Sequence, residues 1–223
     1  MKRLFLDIET LPADIENPSV VKKLEHLYER ELKVSKQKGV EAPSFEEFVG
    51  QSSFFDGAFG RVLCIALAVN DDEVKCYSSD EKGIWDEKKV LENFWKIAAQ
   101  VDMFVGHNLI EFDMRFIWQR SVLLGVKPTW QEEDMRASKY LSFAKYRSFP
   151  MYDTKQEWTK WSFGVKSHLE HIALAMDIPS PKDGIDGSQV KDFYKKGEVQ
   201  KICDYCKRDV DTTRAVYKKM TFS

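Results

Sequence analysis

The sequence predicts an α/β fold in which helices flank a mixed sheet with antiparallel strands first and parallel strands later. Three observations predict this class. Apolar residues alternate over residues 4–9 and run without interruption over residues 62–69, as strands do. Helical patterns and short apolar strands then alternate along the chain. With 223 residues, 43% of them hydrophobic, and no repeat or obvious linker, the chain has the size of one domain.

The first third of the chain contains a strand, a helix and an irregular connection. Alternation over residues 4–9 places Asp7 and Glu9 together on one face of the strand. A helix is expected to begin at Asn17, with Pro18 in its first turn, and to end near Gly39. Residues 40–60 mix Pro, Gly, Ser and Phe, which predicts an irregular connection.

The later elements follow in a regular order. They are strands at 61–69 and 74–77, a helix at 85–100, a strand at 103–106, and helices at 113–124, 167–176, 188–196 and 199–219. Residues 125–166 are the least periodic stretch. Between 139 and 166, basic and aromatic residues are interleaved, which suits a groove for single-stranded nucleic acid. Buried aromatics and solvated lysines explain the same composition equally well.

Charge and hydropathy exclude some classes of function. The 34 basic and 36 acidic residues give a net charge of -2, so bulk attraction cannot hold a polyanion and any nucleic acid must be gripped locally. The longest apolar run is too short to span a bilayer. Acidic residues appear before any secretory hydrophobic region can develop, so we expect a cytoplasmic protein without membrane contact.

The four cysteines are Cys64, Cys76, Cys203 and Cys206. Their low density does not match a disulfide-rich secreted scaffold. Cys203 and Cys206 have CxxC spacing, but the sequence offers no second CxxC or HxxxH to complete a zinc site. Buried, reduced thiols are therefore expected, and a metal or redox role is the alternative.

Asp7 and Glu9 form the first of three acidic clusters. Two like charges in a poorly solvated strand need a cation or a raised pKa, and Mg²⁺ favours oxygen ligands of this kind. An edge strand with both acids facing solvent is the simpler interpretation of the DxE spacing alone.

The other two clusters lie at a turn and on the last helix. Asn108 and Asp113 stand where a strand ends and a helix begins, although turn ordering and helix capping also explain them. Tyr205 and Asp209 are spaced i, i+4 on one helix face, and no Lys or Arg lies three or four positions from Asp209.

Together these three segments resemble the DEDD family of 3′→5′ exonucleases, which carry DxE, Nx3(F/Y)D and Yx3D in this chain order. Here the motifs are Asp7-Ile8-Glu9, Asn108 to Phe112-Asp113, and Tyr205 to Asp209. The tyrosine subclass fits, because Asp204 stands where the other subclass has histidine. Residues 59–69 and 183–213 also look like stand-alone proteins related to the proofreading domain of B-family DNA polymerases.

The resemblance implies a ribonuclease-H-like single domain over residues 1–223, with a helical insertion at about 13–55 and the acids at the carboxyl-end crevice of the sheet. It implies that Asp7, Glu9, Asp113 and Asp209 hold two Mg²⁺ or Mn²⁺ ions. Tyr205 would orient the attacking water. The residues that would contact the terminal nucleotide are Thr10, Leu11, Asn108 and Phe112, with core packing as the alternative for Leu11 and Phe112.

The function implied is metal-dependent 3′→5′ hydrolysis of nucleic-acid 3′ ends to nucleoside 5′-monophosphates. Single-stranded DNA is favoured over RNA as the partner, and no obligate protein partner is evident. Two alternatives remain open: a nucleic-acid-binding module without catalysis, and a phosphodiesterase for very short oligonucleotides.

Overall fold

A computed structural model describes residues 1–53, 55–128, 150–162, 164–165, 167–180 and 185–223. Within the basic and aromatic stretch expected at 139–166, residues 139–149, 163 and 166 lie outside these ranges, so its proposed groove is described only in part. No helix in the described ranges combines the length and hydrophobicity needed to cross a membrane.

The elements are named in chain order. They are β1 (Arg3–Leu11), α1 (Pro18–Lys38), α2 (Phe45–Ser53), β2 (Arg61–Val69), β3 (Lys75–Ser78), β4 (Asp80–Glu81), β5 (Ile84–Trp85), α3 (Glu87–Ala98), β6 (Met103–Gly106), α4 (Asp113–Leu123), β7 (Met151–Asp153), α5 (Thr154–Thr159), α6 (Leu169–Ala175), a 3-10 turn (Gly187–Gln189), α7 (Val190–Lys195) and α8 (Val199–Thr221).

Five strands form the main sheet in the order β3-β2-β1-β6-β7. Strands β1, β2 and β3 pair antiparallel, whereas β6 and β7 continue the sheet in parallel. This confirms the mixed α/β sheet predicted from the sequence, and the architecture is that of a ribonuclease-H-like fold. Strand β1 lies at the centre, so its side chains face a packed layer on both sides of the sheet.

The alternation of β1 divides its side chains between two cores. Leu4, Leu6 and Ile8 pack with α3 and α4 on one face. Phe5 and Leu11 pack with α8 on the other, which is also the face of Asp7 and Glu9. The acids therefore lie under α8 in a central strand, and the edge-strand alternative is wrong.

The structure differs from the predicted elements at several places. Residues 40–60 are not wholly irregular, because Ser44 and Glu47 form a reciprocal cap that begins α2: the Ser44 N–H donates to Glu47 Oε2 at 2.7 Å and the Glu47 N–H to Ser44 Oγ at 3.2 Å. The helix expected from residue 85 begins at Glu87, since Asp86 caps it. The short strand β7 was not predicted; its three residues are too few for a periodic signal.

Helices α1 and α2 lie between β1 and β2 in the chain and pack against each other and against the segment that follows β1. Ala13, Leu24 and Val49 form a small separate core there. The Ala13 N–H donates to Ser53 Oγ at 3.0 Å, which ties α2 to the segment after β1.

Candidate active site

Strand β1 carries Asp7 and Glu9 in a section that pairs with β2 but not with β6. Its pairing with β6 covers Arg3 to Phe5 only, while β1 continues to Leu11. Asp7 and Glu9 thus lie past the carboxyl end of β6, where open α/β sheets place their sites. Both side chains are half-buried.

Asp113 joins them because it replaces the missing strand partner. It is the first residue of α4 and only 2% exposed, and its Oδ1 accepts the backbone N–H of Ile8 at 3.1 Å. A donor left unpaired inside the protein would be costly, so this contact fixes α4 against β1. The structure therefore gives Asp113 more than the helix-capping role that its position suggested.

The loop before α4 is held by a residue that the sequence did not reveal. Asp153, at the end of β7, accepts the backbone N–H groups of Asn108 at 3.0 Å and Ile110 at 3.1 Å. The loop is tight: a Cβ at Gly106 would lie 2.8 Å from Leu109 Cδ1, and Asn108 has a φ of 61°. Asp153 also caps α5, and this N-cap position in front of a helix was the only sequence signal for it.

Helix α8 supplies the last two predicted residues. Tyr205 and Asp209 are 7% and 8% exposed and lie one turn apart on the same helix. The same face carries Cys206, whose Sγ donates to Asp7 Oδ2 at 3.2 Å. The structure thus brings together all five residues expected at the catalytic centre, from segments more than 90 residues apart in the chain.

The electrostatics of this centre are those of crowded, buried acids. Burial first, and then the charges of Asp209 and Asp113, raise the pKa of Asp7 and of Glu9 well above their ordinary values. Burial likewise raises the pKa of Asp113 to about 8, with contributions from Asp153 and Asp209. At neutral pH, the metal-free site therefore keeps protons on its carboxyl groups.

A pocket of about 250 Å³ opens onto the acids. Asp186 lies at its edge, and its charge helps to raise the pKa of Glu9; the sequence did not reveal this residue either. Burial lowers the pKa of His107 to about 4, so His107 is neutral at pH 7 and its Nε2 bonds to the Ser167 carbonyl at 2.8 Å. The lining residues are Asp7, His107, His168, Leu169, Glu170, Asp186, Gly187, Tyr205 and Asp209.

Two of the residues expected to contact the nucleotide lie in the core at the end of β1. Thr10 and Leu11 are 3% and 1% exposed. Thr10 follows a bulge, because the register of β1 against β2 shifts after Glu9. Leu11 belongs to the buried apolar cluster between the sheet and α8, which favours core packing as its role.

The other two expected contacts, Asn108 and Phe112, lie beside α4. Asn108 Oδ1 accepts from Lys155 Nζ at 2.8 Å, and Lys155 also lies 3.6 Å from Glu111. Phe112 is half-buried, with its ring centroid 6.2 Å from that of Phe55 in an edge-to-face arrangement. Phe55 itself is 62% exposed, so the pair presents an aromatic surface next to Asp113.

The donor set at the centre fits hard divalent cations. Carboxylate oxygens of Asp7 and Glu9 lie within 4.8 Å of each other and of Cys206 Sγ. Oxygen ligands of this type suit Mg²⁺ and Mn²⁺. A bound cation would also offset the like-charge repulsion that raises the pKa values of the acids.

Comparison with known protein families identifies the family that this chain matches. Residues 52–223 match the model of predicted 3′–5′ exonucleases related to the exonuclease domain of PolB. The chain belongs to this family. The match includes Asp113, Tyr205 and Asp209 but begins after Asp7 and Glu9, which the sheet brings to the same place.

Two individual proteins are also similar to this chain. An uncharacterized protein of Methanocaldococcus jannaschii is 24% identical over 169 residues, which cover 71% of this chain and 84% of that protein. The family B DNA polymerase of Pyrobaculum calidifontis superposes with a TM-score of 0.66 at 15% identity over 99% of this chain. The chain spans 24% of that polymerase, and the likeness shows a shared fold.

Proposed function

We propose that this chain is a metal-dependent 3′→5′ exonuclease of the tyrosine DEDD subclass. It would remove nucleoside 5′-monophosphates from the 3′ ends of single-stranded nucleic acid, with DNA favoured over RNA. The observation that carries the proposal is that Asp7, Glu9, Asp113 and Asp209 lie close enough to perturb one another, beside a pocket lined by Asp7 and Asp209. Burial and the neighbouring charges raise the pKa values of the first three. The family membership of the chain supports the same reaction.

The four carboxyl groups would hold two Mg²⁺ or Mn²⁺ ions. Bound there, the ions would supply an activated water and neutralise charge on the phosphate and on the leaving 3′ oxygen. The protein's own part is to keep the ligands fixed before substrate arrives. The Ile8 N–H holds Asp113, and the Cys206 thiol holds Asp7.

Tyr205 would orient the attacking water by donating a hydrogen bond. Burial, together with the charge of Asp209, raises the pKa of its hydroxyl, so the phenol stays protonated at neutral pH. Tyr205 and Asp209 both line the pocket. The tyrosine is therefore a donor rather than a general base.

The surface beside α4 would hold the terminal nucleotide. The exposed ring of Phe55, backed by Phe112, offers a face for base stacking, and the Lys155 ammonium offers a positive charge for a phosphate. Local binding of this kind agrees with the net charge of the chain, which is -2. The cytoplasmic location expected from the N-terminal sequence stays a prediction.

Labelled strands test the proposal directly. The protein is incubated with single-stranded DNA and RNA labelled at either end, in Mg²⁺, in Mn²⁺ and in EDTA. We expect stepwise loss of 5′-monophosphates from the 3′ end with metal and none with EDTA. The matched control is Asp209→Asn, which should bind strands but not shorten them.

The same assay separates the alternatives. Metal-independent binding without any shortening would establish the binding module and refute the exonuclease. Turnover limited to strands of a few nucleotides would establish the short-oligonucleotide phosphodiesterase instead.

A further inference from the structure

The four cysteines, dispersed in sequence, meet at one place in the fold. Cys64 lies on β2 and Cys76 on β3, and the register pairs Cys76 with Ala66, two residues from Cys64 on the same face. Helix α8 crosses this face and brings Cys203 and Cys206, one turn apart, over the two strands. The strand pair thus places two thiols beside the helix that carries the CxxC pair.

Three of the sulfur atoms are close enough to share a ligand. Those of Cys64, Cys76 and Cys203 all lie within 4.8 Å of one another. Cys206 Sγ lies outside this trio: it groups with the carboxylate oxygens of Asp7 and Glu9 instead, and it donates to Asp7 Oδ2 at 3.2 Å. All four are free thiols, and all except Cys76 are buried.

We propose that Cys64, Cys76 and Cys203 supply three thiolate ligands to one zinc-type divalent ion, with a water in the fourth position. Zn–S bonds of about 2.3 Å in a tetrahedron place the sulfurs about 3.8 Å apart, within the 4.8 Å that already encloses these three atoms. Soft thiolate ligands select Zn²⁺ over Mg²⁺, so this site is chemically distinct from the carboxylates. Each thiol that binds loses its proton to solvent.

The position of the cluster gives the ion a structural role. It would join the β2–β3 pair to α8 at Cys203, two residues before Tyr205 in the helix. Cys206, one turn further on, would keep the thiol proton that it donates to Asp7 at 3.2 Å. The bound ion would therefore fix the helix that carries Tyr205 and Asp209 at its height above the sheet.

Cobalt binding tests the proposal without reference to nuclease activity. The full-length protein is stripped of metal under reducing conditions and titrated with Co²⁺. Tetrahedral cobalt–thiolate complexes have a near-ultraviolet charge-transfer band that carboxylate sites do not produce. We expect this band to reach its maximum at one equivalent of Co²⁺, to persist in Asp113→Asn, and to disappear when one equivalent of Zn²⁺ is added.

Two cysteine variants locate the site. Cys76→Ser disturbs the core least because Cys76 is only half-buried, and Cys203→Ser removes a ligand from the helix. Loss of an outer-shell contact lowers metal affinity by roughly tenfold to 100-fold. Each variant removes a direct ligand, so its affinity for Co²⁺ should fall by at least that factor. Far-ultraviolet circular dichroism verifies folding. Should a variant misfold, protection of the wild-type thiols from a thiol reagent by Zn²⁺ provides the same test.

Several results would overturn the assignment. They are the absence of the charge-transfer band in the wild type, a band unchanged in both variants, thiols that react equally fast with and without Zn²⁺, a disulfide within the cluster, or the chromophore of an iron–sulfur cluster. None of these results bears on the strand-shortening assay, so failure of this site and failure of the proposed nuclease are distinguishable.

Discussion

Replacing Asp113 with asparagine tests whether this carboxyl group holds a proton in the folded, metal-free protein. Its pKa is about 8 in the fold and 3.8 in an ordinary environment. Because the folded value is the higher one, the stability it contributes is complete below pH 3.8 and is lost as the pH rises toward 8. Each pH unit in this window costs the folded state about 1.4 kcal/mol.

Asparagine at position 113 carries no charge, and its Oδ1 still accepts from the Ile8 N–H. The Asp113→Asn protein should therefore escape this loss, so its stability relative to wild type should grow by about 3 kcal/mol between pH 5 and pH 7. Any constant difference in packing cancels from this comparison. Urea unfolding in EDTA at pH 5, 6 and 7 measures the change.

The exposed residue Asp72 provides the matched control, since Asp72→Asn is the same substitution at a position surrounded by solvent. Its stability relative to wild type should change by less than about 0.5 kcal/mol over the same pH range. A flat Asp113→Asn difference between pH 5 and pH 7 would show that Asp113 is ionised without metal and would refute the electrostatic reasoning.

Three further predictions address the metal, the tyrosine and the loop. Mg²⁺ binding at pH 7 should release about one proton from Asp113 alone, because a group with a pKa of about 8 is about nine-tenths protonated at that pH. Calorimetry in buffers of different ionisation enthalpy counts the released protons. No release would contradict the raised pKa values. Tyr205→Phe should lower kcat about 100-fold with Mg²⁺ affinity unchanged, and a kcat equal to that of wild type would remove the hydroxyl from the mechanism. Asp153→Ala should cost about 3 kcal/mol in urea unfolding, because four backbone N–H groups lose their acceptor; Asp153→Asn, which keeps Oδ1, should cost clearly less.

A further variant tests whether a base of the substrate stacks on Phe55. Phe55→Ala should raise KM by the equivalent of about 1 to 3 kcal/mol, because one base would lose its aromatic face, while kcat stays close to wild type. Equal KM values for variant and wild type would place the nucleotide elsewhere.

The sheet was predictable because its strands carry their own signal. Continuous apolar residues in β2 and alternation in β1 specify both strands and their faces. Helix α2 and strand β7 were missed for a different reason: one depends on the reciprocal cap of Ser44 and Glu47, and the other has three residues. Short elements of this kind are fixed by a few specific contacts rather than by a periodic pattern.

The residues of the site likewise divide into those that the sequence predicts and those that it does not. Tyr205 and Asp209 were identified because helical spacing places them on one face, and Asp7 and Glu9 because alternation does so. Asp153 and Asp186 were not identified, since each resembles an ordinary cap until the fold brings it beside the other acids. The meeting of Cys64 and Cys76 with the CxxC of α8 depends on strand register, which the sequence alone does not specify.

The net charge of -2 has a different meaning once the acids are located. In the metal-free site, raised pKa values keep protons on carboxyl groups such as Asp113, so the pocket is less negative than its composition suggests. Cations that displace these protons turn the same residues into a phosphate-binding centre. Because ionised ligands are needed, metal affinity and turnover should rise together as the pH increases from 6 to 8, and a turnover that rises while metal affinity stays constant would assign the pH dependence to another group.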